Sequence, residues 1–392
     1  DDINITSIAL GVDVAIENGD GVFDVDFQYA SVTGSTDAAT LKVAAADAET
    51  VTIAGIETLT INAESGASAI ATLTATAATT VNVTGSGGLT VTNIDDATTT
   101  FNASTSTGAM SIAGAGDVDM AITAGSGGMT ADLSGTTVDN NDSFTGGAGT
   151  DRLIVDADET AALTGLSGVE EVEIDVADID EANGGAGDGA GTVALSGAIS
   201  ADVTSFLVDV TTATDGDVGT VTISSLDNGD VITILDGGSD TDGAGAAAGI
   251  SLATTLATNS DSDTLTIGFS GIGAVSDDSS DTTGYAQVEA DEVETLTIAS
   301  NANAAGDVST NGVEVLTVQA ATGLVFNGAA DFAASSLVNT TLLTSINASA
   351  MTGDLTLTGI DASVLTLTDG AGDLTVTIAG LNNADSIDGG DQ

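Results

Sequence analysis

Cysteine, histidine, proline and tryptophan are all missing from this 392-residue chain, and Lys42 and Arg152 are its only basic residues. With neither His nor Cys, a Ser-His-Asp or Cys-His nucleophile, a thiolate metal centre and a disulfide are all excluded. Zinc and copper, which draw on imidazole or sulfur, are disfavoured for the same reason. Two cations leave little to hold a phosphate backbone or an anionic bilayer, so neither nucleic acid nor membrane insertion is expected. No apolar run reaches the roughly 18 residues of a membrane helix. Aromatics are scarce, with eight Phe and two Tyr. A carboxylate pair that hydrolyses sugars needs cations or aromatic rings around it to orient the substrate, so the chain is not read as an enzyme.

What is present is acid. Asp and Glu total 59, for a formal net charge of −57, yet charged residues make up only 16% of the chain and hydrophobic ones 42%. That apolar share sets the chain apart from a disordered acidic tail, and it should fold. The acids are 46 Asp and 13 Glu. Asp favours turns, where its short side chain bonds nearby backbone. Together with 50 Gly, the bias places acid in turns, among carbonyls and hydroxyls. Those are the oxygen ligands of hard cations, calcium above all. Adaptation to high salt is the rival explanation for part of the charge. The chain begins with Asp1 rather than Met, and Asp1 does not begin a signal peptide, so a processed product or a fragment is expected.

Alternation is the dominant pattern. Val51–Ile53, Leu59–Ile61, Val81–Val83, Leu89–Val91, Met110–Ile112 and Met120–Ile122 are short apolar–polar–apolar strands. The series resumes at Val172–Ile174, Phe206–Val208, Val221–Ile223, Val231–Ile234 and Leu265–Ile267, then at Leu296–Ile298, Leu316–Val318, Leu355–Leu357, Leu365–Leu367 and Leu374–Val376. Their spacing fits a sandwich or a solenoid. Two features favour an all-β parallel β-helix, or β-solenoid. The strands are very short and nearly interchangeable, and a phrase recurs at Ile56–Ile61, Val169–Ile174, Val293–Ile298 and Val313–Val318. The last two copies lie twenty residues apart, the length of one rung built from two strand-and-turn units. Glu57, Glu170, Glu294 and Glu314 share one position in that phrase, where a bond to a turn amide is the simpler role and calcium ligation the other. Ala329–Val338 reads as a short helix, and 176–192 and 236–250 as Gly/Ala/Asp-rich excursions.

One stretch carries chemistry. Asn141 and Asp142 precede Gly146, Gly147, Gly149 and Asp151, and residues 146–154 match the nonapeptide G-G-x-G-x-D-x-U-x at every specified position. The glycines permit a tight turn with carbonyls directed inward, Asp151 adds a carboxylate, and Leu153 enters the core. Asp385, Asp388, Gly389 and Asp391 look like a second tract cut short. Asp230, Asp236 and Asp240 form a third, degraded one.

On these residues the chain resembles the repeats-in-toxin (RTX) calcium-binding proteins. Scattered copies in a Thr/Ala/Gly/Asp-rich β chain, with the recurrent Glu-containing phrase, resemble bacterial S-layer proteins exported by type I secretion. The resemblance implies a β-solenoid with Gly/Asp-rich calcium-binding turns, several calcium ions as cofactor, and an extracellular, cell-surface location. It also implies a structural, self-assembling lattice or filament whose partners are other copies of itself, with cell-surface polysaccharide as a further partner. A stalk segment of a large RTX adhesin is the alternative. An ice-binding solenoid, from Thr ladders such as those at Leu355–Thr358 and Leu374–Thr377, is a minor one. By pattern, residues 1–40 form an opening β segment, 41–140 a solenoid and 141–158 the calcium turn. Residues 159–300 form a solenoid with loop excursions, and 301–392 a solenoid ending in the truncated repeat. No secretion signal follows that repeat, so 1–392 is expected to be part of a longer protein.

Overall fold

A computed structural model describes residues 2–18, 23–114, 119–135, 138, 141–156, 165–175, 202–209, 219–235, 250–271, 285–302, 310–379 and 384–389. Within them the chain is all-β, with one 3-10 turn at Thr340–Leu342 and no α-helix. It divides into two compact units, Asp1–Val155 with Ala161–Val172, and Asp156–Thr160 with Glu173–Gln392.

In the first unit successive strands alternate between two parallel sheets, so each turn of the coil contributes one strand to each. One sheet stacks Ile3–Ile8, Asp24–Tyr29, Asp47–Ile53, Ala67–Thr74, Gly88–Asn93, Met110–Ala113, Met129–Asp132 and Asp151–Asp156. The other stacks Val14–Glu17, Ala38–Ala44, Thr58–Ser65, Thr80–Gly85, Thr100–Ser106, Ala121–Thr123, Ser143–Thr145 and Leu166–Ser167. The alternating sequence decides which way each side chain goes. In Thr58–Ser65, Leu59, Ile61 and Ala63 are buried while Thr58, Thr60 and Asn62 are only half-buried. Parallel register then lines like beside like. Leu59 sits beside Val81, Val81 beside Phe101, Phe101 beside Ile122, Ile122 beside Phe144 and Phe144 beside Leu166. Burying each such side chain is worth about 1.5–3 kcal/mol, and each turn leans only on its neighbours.

The outward face of this second sheet has its own columns. Thr58, Thr80 and Thr100 share one register position, and Thr60, Asn82, Asn102, Thr123 and Thr145 another. Asn102 Nδ2 donates to Asn82 Oδ1 at 3.5 Å, and the Thr84 hydroxyl to Asn62 Oδ1 at 3.3 Å.

The second unit repeats the scheme. Ser205–Asp209, Val231–Leu235, Thr264–Ser270, Thr295–Asn301, Gly323–Gly328, Ser345–Met351, Thr366–Thr368 and Ser386–Asp388 form one parallel sheet. Gly219–Leu226, Ile250–Leu256, Tyr285–Glu289, Thr310–Thr317, Asp331–Val338, Leu355–Ile360 and Leu374–Ile378 form the other. The strand Glu171–Asp175 lies at the division between units. Turn length varies: Ile232 pairs with Ile267, 35 positions on, whereas Ile346 pairs with Leu367, 21 on. Aromatic residues concentrate in the core. Seven of the eight Phe are fully buried, and Phe332 packs against Phe269 and Phe326 at ring-centroid distances of 5.2 and 5.7 Å.

Each of the sixteen alternating segments coincides with a strand, with Met120, Val318 and Leu365 falling one residue outside theirs. Two expectations are corrected. Ala329–Val338 is not a helix: Asp331–Val338 is a strand, with Phe332, Ala334 and Leu337 buried and paired to strands on both sides. Ala334 is a small interior residue of a thin coil rather than a helix former, while Ala333 takes the outward side of the strand. The twenty-residue interval between Val293 and Val313 is not a rung. Those copies lie on opposite sheets of one turn, and the in-register partner of Leu296 is Leu324 while that of Leu316 is Leu337. The proposed excursions at 176–192 and 236–249 lie outside the described residues, and Ile250 already begins a strand.

Candidate functional site

Where the chain passes from one sheet to the other, successive turns approach too closely for any side chain. In the first unit a Cβ on Gly108 would fall 1.9 Å from the Gly87 carbonyl oxygen, and one on Gly127 2.3 Å from the Gly108 carbonyl. The nonapeptide glycines belong to the same corner system. A Cβ on Gly146 would meet the Gly168 oxygen at 1.6 Å, on Gly147 the Gly125 oxygen at 1.7 Å, and on Gly149 the Gly128 nitrogen at 2.2 Å. The motif therefore marks one level of a glycine column that the sequence pattern did not reveal.

Carboxylates finish these corners. Asp151 is fully buried; its Oδ1 accepts the Met129 N–H at 2.8 Å and its Oδ2 the Gly147 N–H at 2.6 Å. The Asp151 N–H in turn donates to Glu170 Oε2 at 2.9 Å. Burial pushes the Asp151 carboxyl above its usual range, against the pull of the two amides, and the Glu170 charge adds to the rise. Asp142, a strand's length before this corner, accepts the Met120 N–H at 2.7 Å through Oδ1. Asn141 Nδ2 donates to Asp119 at 3.4 Å. Asn141 and Asp142 thus serve the opposite end of the strand Ser143–Thr145, apart from the glycine turn.

The same device recurs at the margins of three further strands. The Asp37 N–H donates to Glu57 Oε2 at 2.7 Å, Ala75 to Asp95 Oδ2 at 2.9 Å and Asp263 to Glu294 Oε2 at 2.9 Å. Three of the four phrase glutamates therefore bond turn amides. Glu314 stands apart, exposed in the middle of a strand. Asp385 caps the Leu365 N–H at 2.8 Å, while Asp388 and Gly389 are exposed beyond it. Asp236, Asp240 and Asp391 lie outside the described residues. The turn-amide role of Glu57 and Glu294 was foreseen but their partners were not, and the capping role of Asp95 was missed, because each bonds a residue of an adjacent turn, at intervals from 20 to 31 positions. Only a known register exposes that relation.

Asp230 is the most perturbed of the described acids. It is 3% exposed, accepts the Asp227 N–H at 2.7 Å, and is raised to about 6 by burial, with the Asp227 charge adding to the rise. Its folded value thus stands above that of an unfolded Asp, near 3.9. The stabilisation from holding it protonated is complete below about pH 4 and is lost as pH rises through 6. Asp230→Asn keeps an oxygen for the Asp227 N–H and removes the ionisation. In calcium-free buffer it should leave stability at pH 4 unchanged and raise it at pH 7 by up to about 3 kcal/mol. Urea melts at the two pH values check this, and equal stability of both proteins at pH 7 would contradict it.

The corner donors are all oxygens, the set that suits a hard divalent cation. Among the described residues no group of three or more acidic side chains is placed to hold a metal ion. The two basic residues are taken up in surface ion pairs, Lys42 with Asp13 at 3.3 Å and Arg152 with Glu171 at 2.9 Å. The terminal Thr ladders stack in register, Thr356 with Thr375 and Thr358 with Thr377, but the preceding turn offers Ala333 beside Thr356. Among the described residues no helix is long and apolar enough to cross a membrane. The chain matches no model of a known protein family and no curated protein.

Proposed function

We propose that the chain is a structural subunit of a calcium-loaded extracellular assembly, a surface layer or filament of the bacterial S-layer kind, with no catalytic task. The observation that carries this reading is the corner at Gly146–Asp151, where a glycine turn stacked on its neighbours is closed by a buried carboxylate. It sits in a body of net charge −57. Such a body repels itself unless counter-ions settle among its acids. Neutralising most of that charge takes on the order of ten to thirty divalent ions. At the 146–151 corner Asp151 would be the carboxylate offered to an ion, with Glu170, which accepts the Asp151 N–H, as the adjoining acid. Bound there, calcium supplies the positive charge that the chain lacks. Ion binding and folding are then linked, because the ligands come together only in the coiled state.

Chelation tests the reading. Removing calcium from the assembled protein should lower the β signal in far-ultraviolet circular dichroism and disperse any lattice seen by negative-stain microscopy. Restoring calcium, but not sodium at equal ionic strength, should bring both back. An unchanged spectrum and an intact assembly in excess chelator would sink the proposal. Recovery with sodium alone would assign the charge to salt adaptation.

A further inference from the structure

One inward column of the second unit is broken by an amide. Phe332 and Leu355 fill the same place in two successive turns, and the residue in register before Phe332 is Asn311. Asn311 is fully buried. Its Nδ2 donates to Ser300 Oγ at 2.9 Å, to the Asn301 carbonyl at 3.0 Å and, more weakly, to the Phe269 carbonyl at 3.4 Å. The Ser300 hydroxyl, also buried, donates to the Asp331 carbonyl at 2.9 Å. This node ties Thr310–Thr317 and Asp331–Val338 in one sheet to Thr264–Ser270 and Thr295–Asn301 in the other.

We propose that the Asn311–Ser300 node is a register lock: it decides which residues of Thr310–Thr317 face the core, where apolar packing leaves the choice open. Side chains alternate with a period of two, so a strand shifted by two residues keeps its inward face inward. In the observed register Asn311, Val313 and Leu316 lie beside Phe332, Ala334 and Leu337. Shifted by two, the strand would offer Val313, Val315 and Val318 at those places. That set is wholly apolar, so the hydrophobic effect gives no reason to prefer the register that buries an amide. Connection length does not decide either. Eight residues, 302–309, separate Asn301 from Thr310, against two between Gly328 and Asp331, and the longer connection has slack for such a shift at little entropic cost. What the shift loses is the node. It carries the Asn311 amide away from its acceptors and strips the buried Ser300 hydroxyl and the Phe269 carbonyl of their donor, a costly event in an interior. A single buried Asn fixes the pairing of coiled-coil helices by the same logic. No carboxylate side chain takes part, so the lock is independent of the assembly reading.

The absence of cysteine makes register directly readable. Val315→Cys with Ser336→Cys joins residues that are in register, within disulfide reach at a strand spacing of about 4.8 Å. Thr317→Cys with Ser336→Cys joins residues that meet only after the shift. Under mild oxidation in calcium-containing buffer, the otherwise unchanged chain should form the first disulfide at least tenfold faster than the second. Asn311→Val, which completes the apolar column, should speed the second at least tenfold while circular dichroism keeps its β signal. Ser300→Ala, which leaves the amide its two carbonyls, should speed it at least threefold. Thr356→Cys with Thr375→Cys, an in-register pair elsewhere in the unit, should link equally in every background. If Asn311→Val does not fold, the milder Ser300→Ala decides alone. A 317–336 disulfide that forms no faster in any folded variant would show that packing sets the register, and would overturn the proposal.

Discussion

Gly147→Ala is expected to cost the first unit about 3 kcal/mol or more, the upper range for a single overpacking change. The added Cβ falls 1.7 Å from the Gly125 carbonyl oxygen, with the carbonyl carbon at 2.6 Å. Both obstructing atoms are backbone, so no rotamer change relieves the contact; the two turns must separate. Separation strains the Met129 N–H bond to Asp151, which joins the two turns, and a buried carboxylate deprived of one of its two donors adds its own penalty. Gly135→Ala is the control, since nothing lies within 4 Å of its Cβ position. That change should stay within about 0.5 kcal/mol of the parent. Urea unfolding followed by circular dichroism separates the two. Equal midpoints for both variants would show that the corners are looser than described.

Phe332→Ala should be the most damaging core change in the second unit, costing about 3–5 kcal/mol. The ring is 1% exposed and contacts Phe269 and Phe326. Truncation therefore loses the transfer energy of one ring, opens a void in a thin interior and forfeits two aromatic contacts worth about 0.5–1.5 kcal/mol each. Phe332→Leu keeps most of the volume and should recover at least half of the loss. Because each turn leans on its neighbours, the damage should spread beyond one strand. Amide exchange should rise in Leu355–Ile360 and Thr310–Thr317, the strands paired on either side. Exchange confined to Asp331–Val338 would contradict the neighbour-coupled picture.

The strands and their burial were legible because a two-residue period survives in even the shortest segments. Leu59, Ile61, Val81 and Val83 all face inward as the alternation requires. The solenoid could be preferred over a sandwich because so few aromatic residues can fill only a narrow interior. Register was not legible. Turns vary from the 19 positions between Leu355 and Leu374 to the 36 between Ser251 and Gln287, so no fixed period links partner residues. The repeated phrase misled for a related reason: Val293 and Val313 share a local pattern that suits either sheet. At the candidate site, the glycine motif and Asp151 were visible because their spacing is internal to one turn. The column through Gly87, Gly108 and Gly127 was hidden among fifty glycines. The partners of Glu57 and Asp95 were hidden because they belong to the turn before.

Those partners also run one way. In the first unit the amides of Asp37, Ala46, Ala75, Met120, Met129 and Asp151 each donate to a side chain from the turn that follows in sequence. A turn is thus left with open donors until its successor arrives, and closing one level exposes the next set. The coil has a preferred direction of growth written into its corners. A chain emerging from its amino end, from a ribosome or through a pore, would lock level by level behind the exit rather than collapse all at once.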